Sequence, residues 1–350
     1  MTAYTKRLQK VTAVLCTTAL LAGCAAGTSD STEPAATTAQ VKAITIEPTA
    51  AYQTMNGFGA SACWWSQEVG NWENAKDILS LLYDENSGIG LNIYRYNLGA
   101  GSKDDATITD LDRRAEAFID KDGSYHWERD AAAQNALALA RSMNEDLRVT
   151  LFSNSAPVFY TANGKAYCDY LPDEENYVTN LEPERYADFA KYSIACAKHF
   201  TEAGYRVTGL SPINEPEWSW RGYEDGTAKQ EGCYYSKTQC RDLYKVFLKQ
   251  MAQEDALKDC RLEGWESGHI GTDTCMAYLK TMFGKSGVNG LKNNALRKGM
   301  PTLALHSYWA SPEEKQTFAN AIATTYGSNY KLALTEYCQM TEDQNSGVYD

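Results

Sequence analysis

The chain is poor in histidine, with four in 350 residues, and it holds no Cys-x-x-Cys pair. His126, His199, His269 and His306 are scattered, which argues against a zinc site and leaves no metal to be expected. No glycine-rich phosphate fingerprint follows the first predicted strand, and no cofactor is expected. No nucleophile elbow is present, and no cysteine has a histidine placed to activate it, so serine and cysteine hydrolases are excluded. Basic charge is also short: 33 Lys and Arg stand against 45 Asp and Glu, a net charge of −12. That balance excludes a nucleic-acid groove and a membrane-surface role built on basic patches, and it suits a neutral, sugar-like substrate.

Aromatic residues, by contrast, are abundant, with 23 Tyr and 8 Trp. Amphipathic rings are favoured where one face is apolar and the edge is wet, as in a sugar-binding cleft. The length allows one large domain, expected to act as a monomer, with an ample core.

The N-terminus reads as an export signal over residues 1–23: Lys6, Arg7 and Lys10 precede the apolar stretch 11–21, which is too short to span a bilayer. It closes on Leu21-Ala22-Gly23-Cys24, similar to a bacterial lipobox, so Cys24 is the expected lipid anchor of an exported, membrane-anchored protein. Residues 24–41, rich in Ala, Thr and Ser, read as a tether. Ten cysteines become eight once Cys16 and Cys24 are set aside. In an exported protein they permit disulfides, although no pairing follows from sequence, and buried free thiols are the alternative.

From residue 42 onward, short β-like runs alternate with amphipathic helical patterns. Strands are predicted at residues 56–59, 91–96, 148–152, 207–211, 261–265, 302–306 and 331–335, and helices at 131–143, 183–203, 237–254 and 312–326. This alternation belongs to the α/β class with a parallel sheet. Nearly every run ends in polar or aromatic residues, including Arg95, Asn154, Asn214-Glu215, Glu266, His306-Ser307-Tyr308 and Glu336. Strand ends converge on one face in a (β/α)8 TIM barrel, which decides for the barrel over an open sheet. Residues 53–350 are assigned to it. Only seven strands can be counted, so the barrel is expected to be truncated after strand seven, with the first- and seventh-strand edges unpaired. Residues 42–52 begin with an alternating run expected to form the first strand of a side sheet.

Glu215 and Glu336 lie at the ends of predicted strands four and seven. Two facing carboxylates are what retaining glycoside hydrolysis requires: one lends a proton to the leaving oxygen and the other attacks the sugar carbon from the opposite face. Pro216 disfavours helical geometry at Glu215 and is expected to hold it extended. An isolated Asn-Glu-Pro is otherwise an ordinary loop. Asn214 would aim its amide at a substrate hydroxyl, Tyr308 and His306 would neighbour Glu336, and Arg95 would steady its charge. Core packing and a structural ion pair are the alternatives for these three. Trp64, Trp65, Trp218, Trp220 and Trp309 fall on the predicted catalytic face, and among them Trp65 and Trp218, with Asn154, are the chosen substrate contacts.

Together, Tyr52 to Ser61, Ser153-Asn154-Ser155-Ala156-Pro157, Asn214-Glu215-Pro216, Gln230-Glu231-Gly232-Cys233, His306-Ser307-Tyr308 and Leu334-Thr335-Glu336-Tyr337-Cys338 resemble family-30 glycoside hydrolases. The Ser-Asn-Ser and Gln-Glu-Gly-Cys segments look most like the endo-β-1,6-galactanase-like branch. The resemblance implies that Glu215 is the acid/base and Glu336 the nucleophile, and that the partner is a β-linked oligo- or polysaccharide, with β-1,6-galactan a candidate. It also implies a β-sandwich beside the barrel, of which this sequence carries the N-terminal part. Ala156 stands where a proline is expected. The alternative reading is a non-catalytic glycan-binding surface lipoprotein on a hydrolase scaffold.

Overall fold

The computed structural model describes residues 45, 47–49, 54–173, 176–284, 295–327 and 330–337. The signal, Cys24, the tether, most of the 42–52 segment and the residues from Cys338 on lie outside the described residues. The chain divides into two units, Met1–Thr54 and Met55–Asp350. In the first, Thr49 donates through its amide and hydroxyl to the Glu47 carboxylate, closing a small turn.

The described residues of the second unit hold seven strands: β1 (Gly59–Ser61), β2 (Ile93–Asn97), β3 (Arg148–Phe152), β4 (Arg206–Ser211), β5 (Arg261–Ser267), β6 (Thr302–His306) and β7 (Lys331–Glu336). They form one sheet in sequence order, every neighbouring pair parallel. Helices α1 (Ser66–Val69), α2 (Ala75–Tyr83), α3 (Ala131–Met143), α4 (Tyr186–Glu202), α5 (Lys237–Met251), α6 (Asp273–Phe283), α7 (Ala295–Gly299) and α8 (Pro312–Tyr326) lie between them. The central strands are buried on both faces, which is why they read as nearly continuous apolar runs. Capping boxes start two of the helices: Ser236 with Gln239 opens α5, and Ser311 with Glu314 opens α8, where Pro312 occupies the first turn.

Seven parallel strands make a nearly closed barrel. Its edge strands, β1 and β7, are not paired among the described residues. They converge through one buried side chain: Arg95 of β2 donates to Ser61 Oγ at 3.2 Å and to Glu336 Oε1 at 2.5 Å. On β7, Leu332 and Leu334 are exposed.

The structure corrects several boundaries. The first strand begins at Gly59 rather than Asn56, because the Asn92 side chain takes the Phe58 amide at 3.1 Å in place of a ladder bond. Arg95 sits in the middle of β2 rather than at its end. The 183–203 helix opens with a 3-10 turn, Pro183–Arg185, and the 237–254 helix stops at Met251.

Candidate active site

The C-terminal ends of the strands open into a cleft of about 1090 Å³, lined among others by Trp64, Asn154, Asn214, Glu215, Trp218 and Glu336. Glu215 follows β4 and Glu336 ends β7, and the two carboxylates meet across the cleft floor. One oxygen of each and one nitrogen of His306 all lie within 4.8 Å of one another.

Glu336 is the more heavily supported of the two. Arg95 reaches it at 2.5 Å, the Tyr308 hydroxyl donates to Oε2 at 2.9 Å, and His306 Nδ1 stands 3.4 Å away. Burial pushes its carboxyl up, but the positive charges of His306 and Arg95 outweigh that and hold it below the usual carboxylate range. Arg95 also donates through Nη2 to Asn214 Oδ1 at 3.0 Å. That bond occupies the amide's acceptor and leaves its NH₂ donor for the cleft.

Glu215 does not adopt the extended conformation expected before Pro216. Its φ is +44°, in the left-handed region. Three bonds account for this: its amide donates to the Glu266 carbonyl at 2.9 Å, while its own carbonyl accepts from the Trp218 amide at 3.2 Å and from Trp220 Nε1 at 2.8 Å. The Asn214-Glu215-Pro216 peptide is thus pulled toward β5, and its carboxylate receives His306 Nδ1 at 2.9 Å. Glu266, Trp220 and Trp309 also have positive φ. Strained backbone held by surrounding contacts is a recurring mark of functional sites. The neighbouring Gly268 is needed for close approach, since a Cβ there would collide with the Trp218 indole and the Glu215 carboxylate.

The remaining candidates separate into two layers. Asn154 lines the cleft and donates to Asn97 Oδ1 at 3.1 Å, and Tyr308 and Trp218 line it as well. The exposed Trp218 and Trp309 indoles meet edge to face at 6.3 Å beside Glu215. Arg95 and His306 are buried beneath the floor. Trp65 lies outside the cleft lining: its Nε1 donates to the Ser61 carbonyl at 2.8 Å and its ring packs on Tyr94, while Trp64 faces the cleft.

Glu266 is the residue that sequence reasoning left out of the site. It is fully buried at the end of β5, 3.6 Å from Arg95 Nη2 and 3.3 Å from His306 Nε2, and it accepts from Thr335 Oγ1. Its only sequence signal is its position among the polar strand ends. Burial pushes the Glu266 carboxyl up, but Arg95 and His306 bring it down to about 2. His306 in turn is pushed down by burial yet raised to about 10 by Glu336, Glu215 and Glu266. Protonated, the imidazole forms a buried ion-pair network with the Glu215, Glu266 and Glu336 carboxylates.

These shifts have opposite consequences for stability. The Glu266 contribution is present above the ordinary 4.5 and is lost as pH falls toward 2. The His306 contribution is complete below 6.5 and is lost as pH rises toward 10. Glu266→Gln is therefore expected to destabilise the fold by roughly 3 kcal/mol at neutral pH, since it breaks a buried charge network. Urea unfolding across pH should also show a flatter acid limb in the variant. An acid limb identical to the parent's would contradict this account.

A parallel barrel whose strand ends bring two carboxylates together over a charged floor is the architecture of barrel glycoside hydrolases. A family model described as O-Glycosyl hydrolase family 30 matches residues 41–345, and the chain belongs to that family. Among curated relatives, an endo-beta-1,6-galactanase of Hypocrea rufa is 29% identical over 218 residues, 55% of this chain and 43% of the relative. An exo-beta-1,6-galactobiohydrolase of Bifidobacterium longum subsp. longum is 27% identical over 242 residues, 51% of this chain and 16% of the relative. Among solved structures, a conserved exported protein from Bacteroides fragilis superposes with a TM-score of 0.71 at 26% identity, covering 85% of this chain and 63% of that one. An endo-beta1,6-glucanase superposes with a TM-score of 0.59 at 18% identity over 85% of this chain and 63% of that one, a likeness of fold alone. The chain spans less than half the length of either curated relative.

Proposed function

We propose that the protein is a retaining β-glycosidase acting on β-1,6-linked galactan by double displacement. The observation that carries this is the close approach of Glu215 and Glu336, whose nearest oxygens fall within the 4.8 Å cluster with His306. Carboxyl groups about 5–5.5 Å apart leave room for a nucleophile and an acid/base on either side of a glycosidic bond, whereas inverting pairs stand about 6.5–9.5 Å apart to admit water. Substrate class is supported by the two curated relatives, whose names are those of β-1,6-galactan-degrading enzymes.

The surroundings distinguish the roles. Glu336, held anionic by His306, Arg95 and Tyr308, attacks the anomeric carbon. Glu215, on the opposite lip, gives its proton to the glycosidic oxygen as the C–O bond breaks. In the second step Glu215 takes a proton from the water that displaces Glu336. Asn214 presents its amide to a hydroxyl of the bound sugar, and the Trp218 and Trp309 indoles offer stacking faces for neighbouring rings.

Export and anchoring through Cys24 are proposed on Lys6, Arg7, Lys10 and the Leu21-Ala22-Gly23-Cys24 segment. No helix among the described residues is long and apolar enough to cross a membrane.

The test is proton NMR of the first product anomer during hydrolysis of β-1,6-galacto-oligosaccharides, with β-1,6-glucan and xylan run in parallel. The β anomer is expected to appear first and only from the galactan series. Initial release of the α anomer would rule out double displacement, and turnover of another glycan alone would rule out the substrate class.

A further inference from the structure

We infer that Cys168 and Cys233 close a disulfide that bolts together the two loops forming one wall of the cleft. Cys168 lies between β3 and α4, and Cys233 between β4 and α5, so both follow strands at the catalytic end of the barrel. The two segments are already laid against each other. The Gly232 amide donates to the Ala166 carbonyl at 2.8 Å, and the Tyr234 amide donates to the Cys168 sulfur at 3.3 Å. The nitrogen of Tyr234 is bonded directly to the carbonyl carbon of Cys233, so that contact sets the Cys168 sulfur beside residue 233. The Cys233 sulfur turns to the next peptide, 3.6 Å from the Tyr234 carbonyl oxygen, and the two thiols lie close enough to shift each other's ionisation. Both are buried, so neither is exposed to chance oxidation once the protein is folded.

The chemistry of the pair favours closure. Burial pushes the Cys233 thiol up, but the hydrogen bond from Cys168 and those from neighbouring groups bring it below its ordinary value. The hydrogen bond to Cys233, reinforced by burial, raises the Cys168 thiol instead. Once the two loops have met but before they are fully covered, Cys233 is the sulfur that ionises first and attacks. During folding its thiolate displaces one thiolate from a disulfide oxidant such as oxidised glutathione, forming a mixed disulfide. Cys168 then loses its proton, attacks the Cys233 sulfur and expels the second glutathione. One protein S–S bond is gained, the oxidant's S–S bond is lost, and two reduced glutathiones carry away the two electrons and two protons.

Cys168 also anchors the rest of the wall. Its amide donates to the Trp220 carbonyl at 2.9 Å and its carbonyl accepts from Gly222 at 2.8 Å, while Trp220 and Arg221 line the cleft. The crosslink closes the whole segment 168–233, which includes α4, β4 and Glu215. A loop this long is where a disulfide most restricts the unfolded chain.

Three of the other described cysteines have different surroundings. Cys240 donates to Met282 Sδ at 3.5 Å, Cys63 receives Asn154 Nδ2 at 3.6 Å, and Cys196 lies buried on α4.

The full chain is produced in an oxidising compartment, alkylated with iodoacetamide in denaturant and digested without reductant. Mass spectrometry should find the Cys168 and Cys233 peptides joined, two hydrogens lighter than their sum. Dithiothreitol should lower the melting temperature of the parent by several degrees and leave that of the Cys168→Ala, Cys233→Ala double variant unchanged. Alkylation of both cysteines, pairing of either with a different cysteine, or a parent melting curve indifferent to dithiothreitol would overturn the assignment.

Discussion

Glu336→Gln is expected to lower kcat/KM on the order of 10⁴-fold or more, on oligosaccharides and on aryl glycosides with good leaving groups alike. The amide is nearly isosteric, but it cannot form the glycosyl ester, so even a substrate needing no acid has no route forward. It also removes the negative charge that Arg95 meets at 2.5 Å and that His306 faces at 3.4 Å. A modest loss of stability should accompany the loss of turnover, while affinity for a substrate oligosaccharide persists. Steady-state kinetics beside calorimetric titration would separate the two. Activity within tenfold of the parent would remove Glu336 from the mechanism, and with it the double displacement.

Glu215→Gln should give a different signature. Its loss is expected to cost about 10²–10⁴-fold on oligosaccharides, whose leaving group must be protonated. On a dinitrophenyl glycoside the first step needs no proton, so the variant should show a burst of phenol and then stall. The reason is that the second step still needs a base to activate water. Azide, which needs no deprotonation, should restore turnover and yield the β-glycosyl azide, because it enters the space left by the missing charge. Equal losses on both substrate types, with no azide rescue, would mean that Glu215 is not the acid/base. The partner His306, bonded to it at 2.9 Å, would then be the first group to examine.

The sequence made the barrel legible because parallel strands buried on both faces are written as apolar runs. β3 and β6 fall where predicted, and Glu336 ends β7 as the pattern requires. The first strand was the least legible, since the Asn92 side chain substitutes for a ladder bond that periodicity cannot reveal. The two glutamates were legible because each terminates such a run. The backbone at Glu215 was not: local proline chemistry favours an extended residue, and the bond from its amide to the Glu266 carbonyl, 51 positions along the chain, overrides that preference. Trp65 and Trp64 show the same limit. Both lie in the turn between β1 and α1, where no strand period sets their facing, and the Tyr94 ring and the Ser61 carbonyl draw Trp65 away while Trp64 lines the cleft.

What the sequence determined by itself was the parallel alternation of strands and helices, and the presence of one carboxylate at the end of the fourth strand and another at the end of the seventh. Those are properties of local pattern, since strand burial and turn chemistry act over a few residues. What only the tertiary structure decided was the electrostatic floor beneath them. Arg95, His306 and Glu266 come from β2, β6 and β5, and they meet because closure of the sheet carries side chains far apart in the chain into one buried volume. Their charges matter so much because that volume excludes water, and each ion there must be balanced by another.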